Sequence, residues 1–291
     1  MNTAIRIYKS IGALSKIDAQ NSEITKLFIE LHRHCQNILT ASTKISLISK
    51  IPGKQYFVFH NGTKNSRAVN EDLFINDVQL VENTLAHLIN NQLNSTTPDD
   101  ITKALYTMAI SFCAVIDLGK SGDQKTPGTF FEYFSSHWFA KTLRVHPQTS
   151  IQVLNLDRDT SLPTDYIYDL GDNRPKIHLP VKTSTRERVI QVWAHQRVLD
   201  GVYGTGRFLG MLVCLSETKT DQKKLEVTDI CLPEQWRAYQ LFIAQMYRIY
   251  YLDAPTKYLA LNNVFPPINV RPLGEYFYEV NSLFDNVSNY S

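Results

Sequence analysis

The chain has 291 residues, of which 43% are hydrophobic, and its 30 Lys and Arg residues against 28 Asp and Glu residues give a formal net charge of +2. This composition excludes an intrinsically disordered chain and a strongly basic nucleic-acid coat protein, while it allows a nuclease whose positive charge is local. The unbroken apolar runs are too short to span a bilayer, no secretory signal is recognised, and the four scattered cysteines predict free thiols rather than a zinc site. We therefore expect a cytoplasmic protein without a membrane partner.

Helical periodicity dominates the first 120 residues. Apolar side chains recur at helical spacing between Ile24 and Leu39, with Ser22 as the expected cap. Two more helices are predicted at residues 76–93 and 98–118, and a short extended run is predicted at 55–60. The polar stretch at 119–127 is the best internal boundary. Residues 1–120 are therefore predicted to form a mainly helical region that acts as scaffold, dimer contact or DNA clamp, and residues 121–291 to form a second region.

That second region alternates helical and strand-like patterns. A helix is predicted at residues 127–143, and strand-like runs follow at 151–156, 165–170, 176–183, 209–216 and, more weakly, 226–231. A long helix is predicted at 233–252, where aromatic and apolar residues recur at helical spacing. This order predicts an α/β fold with a mixed central sheet flanked by helices.

Two of these strands carry the candidate chemistry. A hairpin closed over residues 172–175 places Asp165 opposite Lys182 and Asp169 opposite His178. An Asp–Lys pair across two strands is commonly only a surface salt bridge. This pair, however, lies at the open end of the hairpin and next to the start of a helix, which favours a functional role.

Cleavage of a phosphodiester bond requires the groups that this region offers. A divalent cation, held by a carboxylate, polarises the phosphate and activates water, and an amine near the attacking water assists. Asp165 and Lys182 fit these two roles. Glu132, on the preceding helix, is either a second carboxylate of the site or an exposed helix residue.

The helix after Lys182 begins with an unusual charge pattern. Ser184 and Glu187 have the spacing of a capping box. Arg186 and Arg188 flank that glutamate at a helix N-terminus, where the macrodipole disfavours cations. An external polyanion explains such arginines. Arginine pairs with guanine, and glutamate accepts from the cytosine amine. The triplet Arg186-Glu187-Arg188 therefore matches stacked G·C pairs in a major groove.

Together, the Pro-Thr-Asp run at 163–165, the hairpin and the Val-Lys-Thr-Ser-Thr-Arg-Glu-Arg run at 181–188 resemble the PD-(D/E)XK type II restriction endonucleases. The resemblance covers about residues 127–200 and is greatest to the EcoRII-like branch, which reads CC:GG elements. It implies a restriction-endonuclease-like core with Mg²⁺ as cofactor. It also implies that Asp165 binds the metal, that Lys182 is catalytic, that Glu132 is the helix glutamate, and that Arg186, Glu187 and Arg188 read bases.

The sequence departs from that family pattern at the third acid. Pro180 occupies the position two residues before the lysine. The branch replaces that acid by a glutamate 13 residues beyond the lysine, and this position is His195 here, followed by Gln196. His195 is slightly favoured over Gln196 as the substituting metal ligand, although imidazole suits magnesium less well than a carboxylate. Pro180 further implies an edge strand or a bulge at the site.

The sequence therefore predicts a prokaryotic homodimeric endonuclease that cuts double-stranded DNA at a short palindrome containing GG and CC, such as GGNCC or GG(A/T)CC. A cognate DNA methyltransferase is expected in the same restriction-modification system. Two alternatives stay open: a catalytically impaired sequence-specific DNA-binding protein, motivated by Pro180 and His195, and a repair nuclease that recognises DNA structure.

Overall fold

The computed structural model describes residues 1–120, 122–154, 159–171, 174–186 and 189–284. Its α-helices are α1 (Asn2–Ile17), α2 (Ser22–Thr40), α3 (Val78–Ile89), α4 (Pro98–Gly119), α5 (Lys125–Leu143), α6 (Val189–Tyr203), α7 (Pro233–Phe242), α8 (Thr256–Leu259) and α9 (Gly274–Glu279). Short 3₁₀ helices occupy Leu93–Ser95 and Ala260–Asn263.

The strands form one large sheet and two small ones. They are β1 (Thr43–Ser46), β2 (Ile48–Ser49), β3 (Tyr56–His60), β4 (Val69–Asn70), β5 (Gln148–Leu154), β6 (Asp159–Tyr168), β7 (Lys176–Leu179), β8 (Val181–Lys182), β9 (Phe208–Cys214), β10 (Thr218–Asp221), β11 (Glu226–Asp229), β12 (Met246–Tyr251) and β13 (Val270–Pro272). The central sheet has the order β13-β12-β9-β7-β6-β5, with β8 also paired to β9. The small sheets are β1-β3-β4 and β10-β11-β2.

The central sheet is mixed, as predicted. Strands β5, β6 and β7 pair antiparallel, whereas β7, β9, β12 and β13 pair parallel, so the pairing changes at β7. All residues of β9 are buried. A continuous apolar strand of this kind is typical of a sheet that is covered on both faces.

Alternate residues of β9 pack against different helical layers. Met211 and Val213 belong to a core cluster that contains residues of α1, α2, α4, α5 and α9. Leu212 and Cys214 belong to a second cluster, which contains residues of α6 and α7. Since side chains alternate along a strand, the sheet lies between these two layers, which confirms the predicted α/β architecture with flanking helices.

Helix α4 lies at the centre of the larger cluster. Thr97 and Asp100 form a capping box at its start, and Pro98 occupies its first turn. Contrary to the expectation from apolar runs, its 22 residues are long and apolar enough to cross a membrane, but 89% of the apolar window is buried inside the protein. The neighbouring helices therefore provide the apolar surroundings of α4.

A buried polar network joins the first 120 residues to the rest of the chain. Asp253, which follows β12, is 2% exposed. Its carboxylate accepts hydrogen bonds from Lys54 at 2.5 Å, Tyr56 at 2.9 Å and Asn70 at 3.0 Å. The larger core cluster likewise contains residues from both sides of the predicted boundary near residue 120, so the two regions pack together.

The predicted helix at residues 233–252 is wrong in its second half. Helix α7 ends at Phe242, and Met246–Tyr251 forms β12, parallel to β9. The side chain of Gln240 fixes the turn between them: its amide donates to the Met246 carbonyl at 3.1 Å and accepts from the Met246 N–H at 3.0 Å. Aromatic and β-branched residues suit a buried strand, and pairing with β9 determines the outcome here.

Two smaller expectations also differ. Asn21, rather than Ser22, caps α2, because its side chain accepts from the Glu23 N–H. The weak strand predicted at 226–231 exists as β11, but it pairs with β10 and β2 in a small sheet. All four cysteines are free, as predicted, and Cys35, Cys113 and Cys214 are buried.

Three of the described histidines are buried in an uncharged state. Burial is the largest cause that lowers the pKa of His32, His137 and His178 to about 4, from an ordinary value of 6.5. His137 Nδ1 donates to the Ala19 carbonyl, so that in the neutral ring Nε2 accepts from Thr25 Oγ1, each at 2.8 Å. These imidazoles resist protonation because the fold leaves their charged forms without water.

Stability should therefore fall in acid. Each folded-state pKa lies below the unfolded value, so the contribution is complete above pH 6.5 and is lost as the pH falls towards about 4. One such histidine contributes up to about 3 kcal/mol. Replacing His32 with leucine should flatten the decrease in unfolding free energy between pH 7 and pH 4.5, measured by urea denaturation. His34→Leu, at a partly exposed position on the same helix, should keep the wild-type slope; an equally steep slope in His32→Leu would contradict the assignment.

Candidate active site

Asp165 and Lys182 come together where Pro180 interrupts the sheet. Pro180 has no N–H to donate to the ladder. Strand β7 therefore ends at Leu179, and the chain resumes as β8, which pairs with β9. Lys182 is thus not a ladder partner of Asp165, as the predicted hairpin register required; its side chain reaches across instead. Asp165 Oδ2 accepts from Lys182 Nζ at 2.6 Å and from the Val181 N–H at 2.8 Å.

The hairpin register differs from the predicted one by two residues. Ile167 pairs with His178, so the predicted pairing of Asp169 with His178 is wrong. Asp169 instead forms an ion pair with Lys176 at 2.6 Å. The loop is longer than expected because β6 ends at Tyr168 and the backbone turns at Gly171 with a φ of 68°. A two-residue shift leaves each side chain on its predicted face, since the strand repeat is two residues.

Glu132 lies on α5 and interacts electrostatically with this ion pair. Its pKa is raised to about 7, first by burial and then by the negative charge of Asp165, while the positive charge of Lys182 acts in the opposite direction. A carboxyl group whose pKa is raised by burial and by a neighbouring carboxylate is typical of functional sites. The helix thus brings a second acidic group within electrostatic range of Asp165, and the role of Glu132 as a ligand of the site stays a prediction.

A cavity of about 180 Å³ opens beside Asp165 and Lys182. His195 reaches it from α6, so that strand and helix residues face each other across the cavity. Its lining consists of Pro163, Thr164, Asp165, Pro180, Lys182, Gln191, Val192 and His195. Of the two residues that could replace the missing acid, His195 is therefore the one beside Asp165.

Gln196 is directed elsewhere. Its amide nitrogen donates to Asp200 Oδ1 at 2.9 Å and to the Phe208 carbonyl at 3.0 Å, and its Oε1 accepts from His178 Nδ1 at 3.0 Å. The side chain is buried and lines a different, larger cavity between α6 and α7. Gln196 thus ties α6 to the sheet, and the structure does not bring it to Asp165.

His178 lies next to the site, and the sequence analysis did not predict its contacts. Since the Gln196 nitrogen is used twice as a donor, its oxygen must accept, so His178 carries its proton on Nδ1. His178 Nε2 is then an unprotonated acceptor, buried and without a hydrogen-bond partner within the described ranges. Its ring lies 6.4 Å from that of His195. No local pattern marks His178 as special, because its surroundings come from α6.

The predicted base readers can be located only in part. Arg186 is exposed and has a positive φ of 41°. Glu187 and Arg188 lie outside the described residues, so the predicted capping box of Ser184 with Glu187 and the orientation of the triplet stay predictions. The residue before Arg186 is firmly held: Thr185 is 2% exposed.

A buried carboxylate holds Thr185, and the sequence analysis did not single it out. Glu217 Oε1 accepts from the Thr185 N–H at 2.9 Å, from Thr185 Oγ1 at 2.6 Å and from the Tyr251 hydroxyl at 2.9 Å. Burial raises the pKa of Glu217. Its position three residues past the apolar strand β9 is a weak sequence signal.

The donors around Asp165 suit a hard cation, but they are few. Among the described residues, no group of three or more His, Cys, Asp or Glu side chains is placed to hold a metal ion. The predicted ligands Asp165, Glu132 and His195 are thus not already gathered in one shell. The negative charge of Asp165 nevertheless helps to raise the pKa of Glu132, and a cation between the two carboxylates would relieve that repulsion.

Comparisons with known proteins bear on the fold of the chain. No protein-family model matches the chain, and no curated protein matches it. Among solved structures, the crystal structure of the Type IIP restriction endonuclease Kpn2I is similar to it with a TM-score of 0.82 and 26% identity over 98% of each chain. A restriction endonuclease PspGI–substrate DNA complex matches 71% of this chain and 92% of its own with 13% identity and a TM-score of 0.45. The Kpn2I match confirms the predicted restriction-endonuclease fold and includes the N-terminal helices; the EcoRII-like branch stays a prediction.

His195 and Gln196 should respond differently to substitution. Gln196→Leu removes the hydrogen-bond partner of buried groups of His178 and Phe208 and of the partly buried Asp200 carboxylate, so the free energy of unfolding should fall by about 2–4 kcal/mol. His195→Asn should change it by less than about 0.5 kcal/mol, because that side chain faces a cavity. Urea denaturation of both variants tests this difference, and equal destabilisation would contradict the separate roles.

Proposed function

We propose that this protein is a type II restriction endonuclease that hydrolyses phosphodiester bonds of double-stranded DNA at a specific short sequence. The observation that carries the proposal is the 2.6 Å contact of Asp165 with Lys182, beside a cavity that His195 also lines. This contact lies in a fold that matches the Type IIP restriction endonuclease Kpn2I over 98% of both chains.

Mg²⁺ is the proposed cofactor. Asp165 and Glu132 would hold it, with His195 as the third ligand, because carboxylate oxygens are the donors that magnesium prefers. The raised pKa of Glu132 supports this assignment, since burial and the neighbouring charge of Asp165 disfavour its ionised form, and the positive charge of Lys182 offsets this only in part. A metal bound there would polarise the scissile phosphate and lower the pKa of the attacking water.

The side chains of the site have distinct tasks. Lys182 is held in place by Asp165, so its ammonium group can donate to the attacking water or to a phosphate oxygen without first being ordered. Asp165 is itself fixed by the Val181 N–H. Both side chains are only about a quarter exposed, at 22% for Asp165 and 24% for Lys182, and limited contact with water strengthens their electrostatic effect.

Sequence recognition is assigned to the segment at the start of α6. Arg186 would read a guanine in the major groove together with Glu187 and Arg188, and the target would be a palindrome containing GG and CC, such as GGNCC or GG(A/T)CC. The exposure of Arg186 supports contact with a partner. Cutting both strands of a symmetric site implies a homodimer with two sites related by a two-fold axis. A methyltransferase that protects the same sequence is the expected counterpart in the cell.

Two observations favour the alternative of an impaired nuclease that only binds DNA. Pro180 occupies the place of an expected acid, and no three-ligand group is formed among the residues that the structure describes. Such a protein would bind its sequence and leave the DNA intact in the presence of Mg²⁺. A nuclease that recognises DNA structure would instead cut at scattered positions. A plasmid digest followed by run-off sequencing of the ends distinguishes all three possibilities.

The cleavage mechanism predicts a sharp difference between two similar lysines. Lys182→Ala should reduce plasmid cleavage at least about 100-fold, because a positioned proton donor of this kind contributes that much, while most DNA binding is retained. Lys176→Ala is the matched control, since that lysine forms an ion pair of the same 2.6 Å length with Asp169 in the same hairpin. Its cleavage rate should stay near that of the wild type. Full cleavage by Lys182→Ala would remove this lysine from the mechanism.

The recognition assignment predicts a loss at one base pair. Arg186→Ala should reduce discrimination by about 1–3 kcal/mol at the position that it reads, and by little elsewhere. Binding to a panel of duplexes, each with one altered base pair, measures this effect. Arg6→Ala, at an exposed position on α1, serves as control and should leave the panel unchanged. Uniform weakening across the panel would indicate a phosphate contact instead.

A further inference from the structure

Glu217 lies just beyond the carboxyl ends of three adjacent strands of the central sheet. The Leu215 N–H donates to the Lys182 carbonyl at 3.1 Å, and the Asp253 N–H donates to the Leu215 carbonyl at 2.8 Å. The carboxyl ends of β8, β9 and β12 are therefore side by side. From this edge the chain leaves β8 for residues 185–188, the proposed recognition segment.

The Glu217 carboxylate accepts hydrogen bonds on one of its two oxygens only. Its Oε1 accepts from two donors of Thr185 and from the Tyr251 hydroxyl. Its Oε2 has no hydrogen-bond partner among the described residues. The residue is 2% exposed and lines a cavity of about 130 Å³. A buried carboxylate satisfied on one side only is unfavourable for stability.

The recognition segment begins directly after this contact with a strained residue. Arg186 has a φ of 41°, a conformation that residues other than glycine rarely adopt. Strain of this kind persists only where the surroundings determine the backbone. The Arg186 side chain is exposed, so the protein does not fix it by packing. The direction of Arg186 therefore depends on how its backbone is held.

We propose that Glu217 is a positioning residue for DNA recognition, which holds Thr185 from inside the protein and thereby aims Arg186 at its base pair. The inference rests on the proposed function. Glu217 touches no DNA in this arrangement. It acts through the backbone N–H and the hydroxyl of Thr185, and these two bonds fix both the position and the rotation of the residue that precedes the reader.

A purely structural role explains these contacts less well. A neutral side chain of similar size would fill the same space without the cost of burying a charge. A carboxylate, in contrast, makes stronger hydrogen bonds to N–H and O–H donors. Two of its three bonds go to the one residue that leads into the recognition segment, which is where rigid placement affects the choice of base.

Substitutions at Thr185 and Glu217 test the inference in the full-length protein. Thr185→Val removes the hydroxyl bond and keeps the residue shape, Thr185→Ser restores the hydroxyl, and Glu217→Gln removes the charge. Tyr56→Phe is the matched control: it removes a buried tyrosine–carboxylate bond of 2.9 Å, to Asp253, on the wall of the same cavity. Thermal unfolding identifies any variant that does not fold.

The readout is the ratio of affinities for the cognate duplex and for duplexes with one altered base pair. Thr185→Val and Glu217→Gln should lower this ratio roughly tenfold, as expected when one bidentate base contact is misplaced, with unchanged affinity for unrelated DNA. Thr185→Ser and Tyr56→Phe should keep the wild-type ratio. A wild-type ratio in folded Thr185→Val would overturn the inference, because a merely structural contact affects stability and not discrimination.

Hydrogen exchange without DNA separates this inference from the proposed function. Amide exchange at residues 183–189 should become faster in Thr185→Val and Glu217→Gln and stay unchanged in Tyr56→Phe. Unchanged exchange in all variants would overturn the positioning role even if the protein cuts DNA specifically. Absence of any sequence preference in the wild-type protein would instead refute the proposed function, and the exchange result would still decide whether Glu217 holds the segment.

Discussion

The contacts of the Asp165 carboxylate hold together the part of the sheet on which the candidate site depends. Pro180 ends the ladder between β6 and β7, and the chain beyond it joins β9 instead. Without a further constraint, the two residues after the proline would be tied to β9 alone. Asp165 supplies that constraint, because one of its oxygens accepts both from Val181 N–H and from Lys182 Nζ. The hydrogen bonds that hold the chain after Pro180 therefore also place the Lys182 amine in contact with the Asp165 carboxylate. Folding of this part of the sheet thus preorganises the site.

The rest of the site follows from the carboxyl ends of the parallel strands. Strands β8, β9 and β12 end together and present Lys182, Glu217 and Asp253, in that order across the sheet. Open α/β sheets commonly bind ligands beyond such ends, because the loops there project away from the packed core. In this chain each end has a different partner: Lys182 contacts Asp165, Glu217 contacts Thr185, and Asp253 contacts the N-terminal region. Adjacent strands thus connect the candidate cleavage site, the proposed recognition segment and strands β3 and β4 of the N-terminal region at short range.

The sequence predicts those features that depend on neighbours along the chain. The α/β class, the helix at α5 and the proximity of Asp165 to Lys182 follow from side-chain periodicity and from a single hairpin. Features that depend on the order of strands in the sheet cannot be predicted from these patterns. Glu217 meets a partner 32 residues earlier in the chain only because β8 and β9 pair in parallel. The aromatic residues at Met246–Tyr251 fit helical spacing as well as a strand, and only the neighbouring β9 decides between them. The resemblance to type II restriction endonucleases predicts the fold correctly, while the EcoRII-like branch, the target sequence and the cofactor stay predictions.

In the proposed recognition role, the neighbouring residues Thr185 and Arg186 have opposite consequences for the evolution of target preference. Arg186 is exposed, so a different side chain at that position disturbs no packing and should affect stability little. Thr185 is buried against the Glu217 carboxylate, which would lose a hydrogen-bond donor if a residue without a hydroxyl replaced it. Substitutions at position 186 can therefore change the base preference, while Thr185 keeps the backbone in the same place. Among relatives with this fold, we therefore expect the residue at position 186 and the recognised base pair to vary. The buried contact between positions 185 and 217 should stay the same.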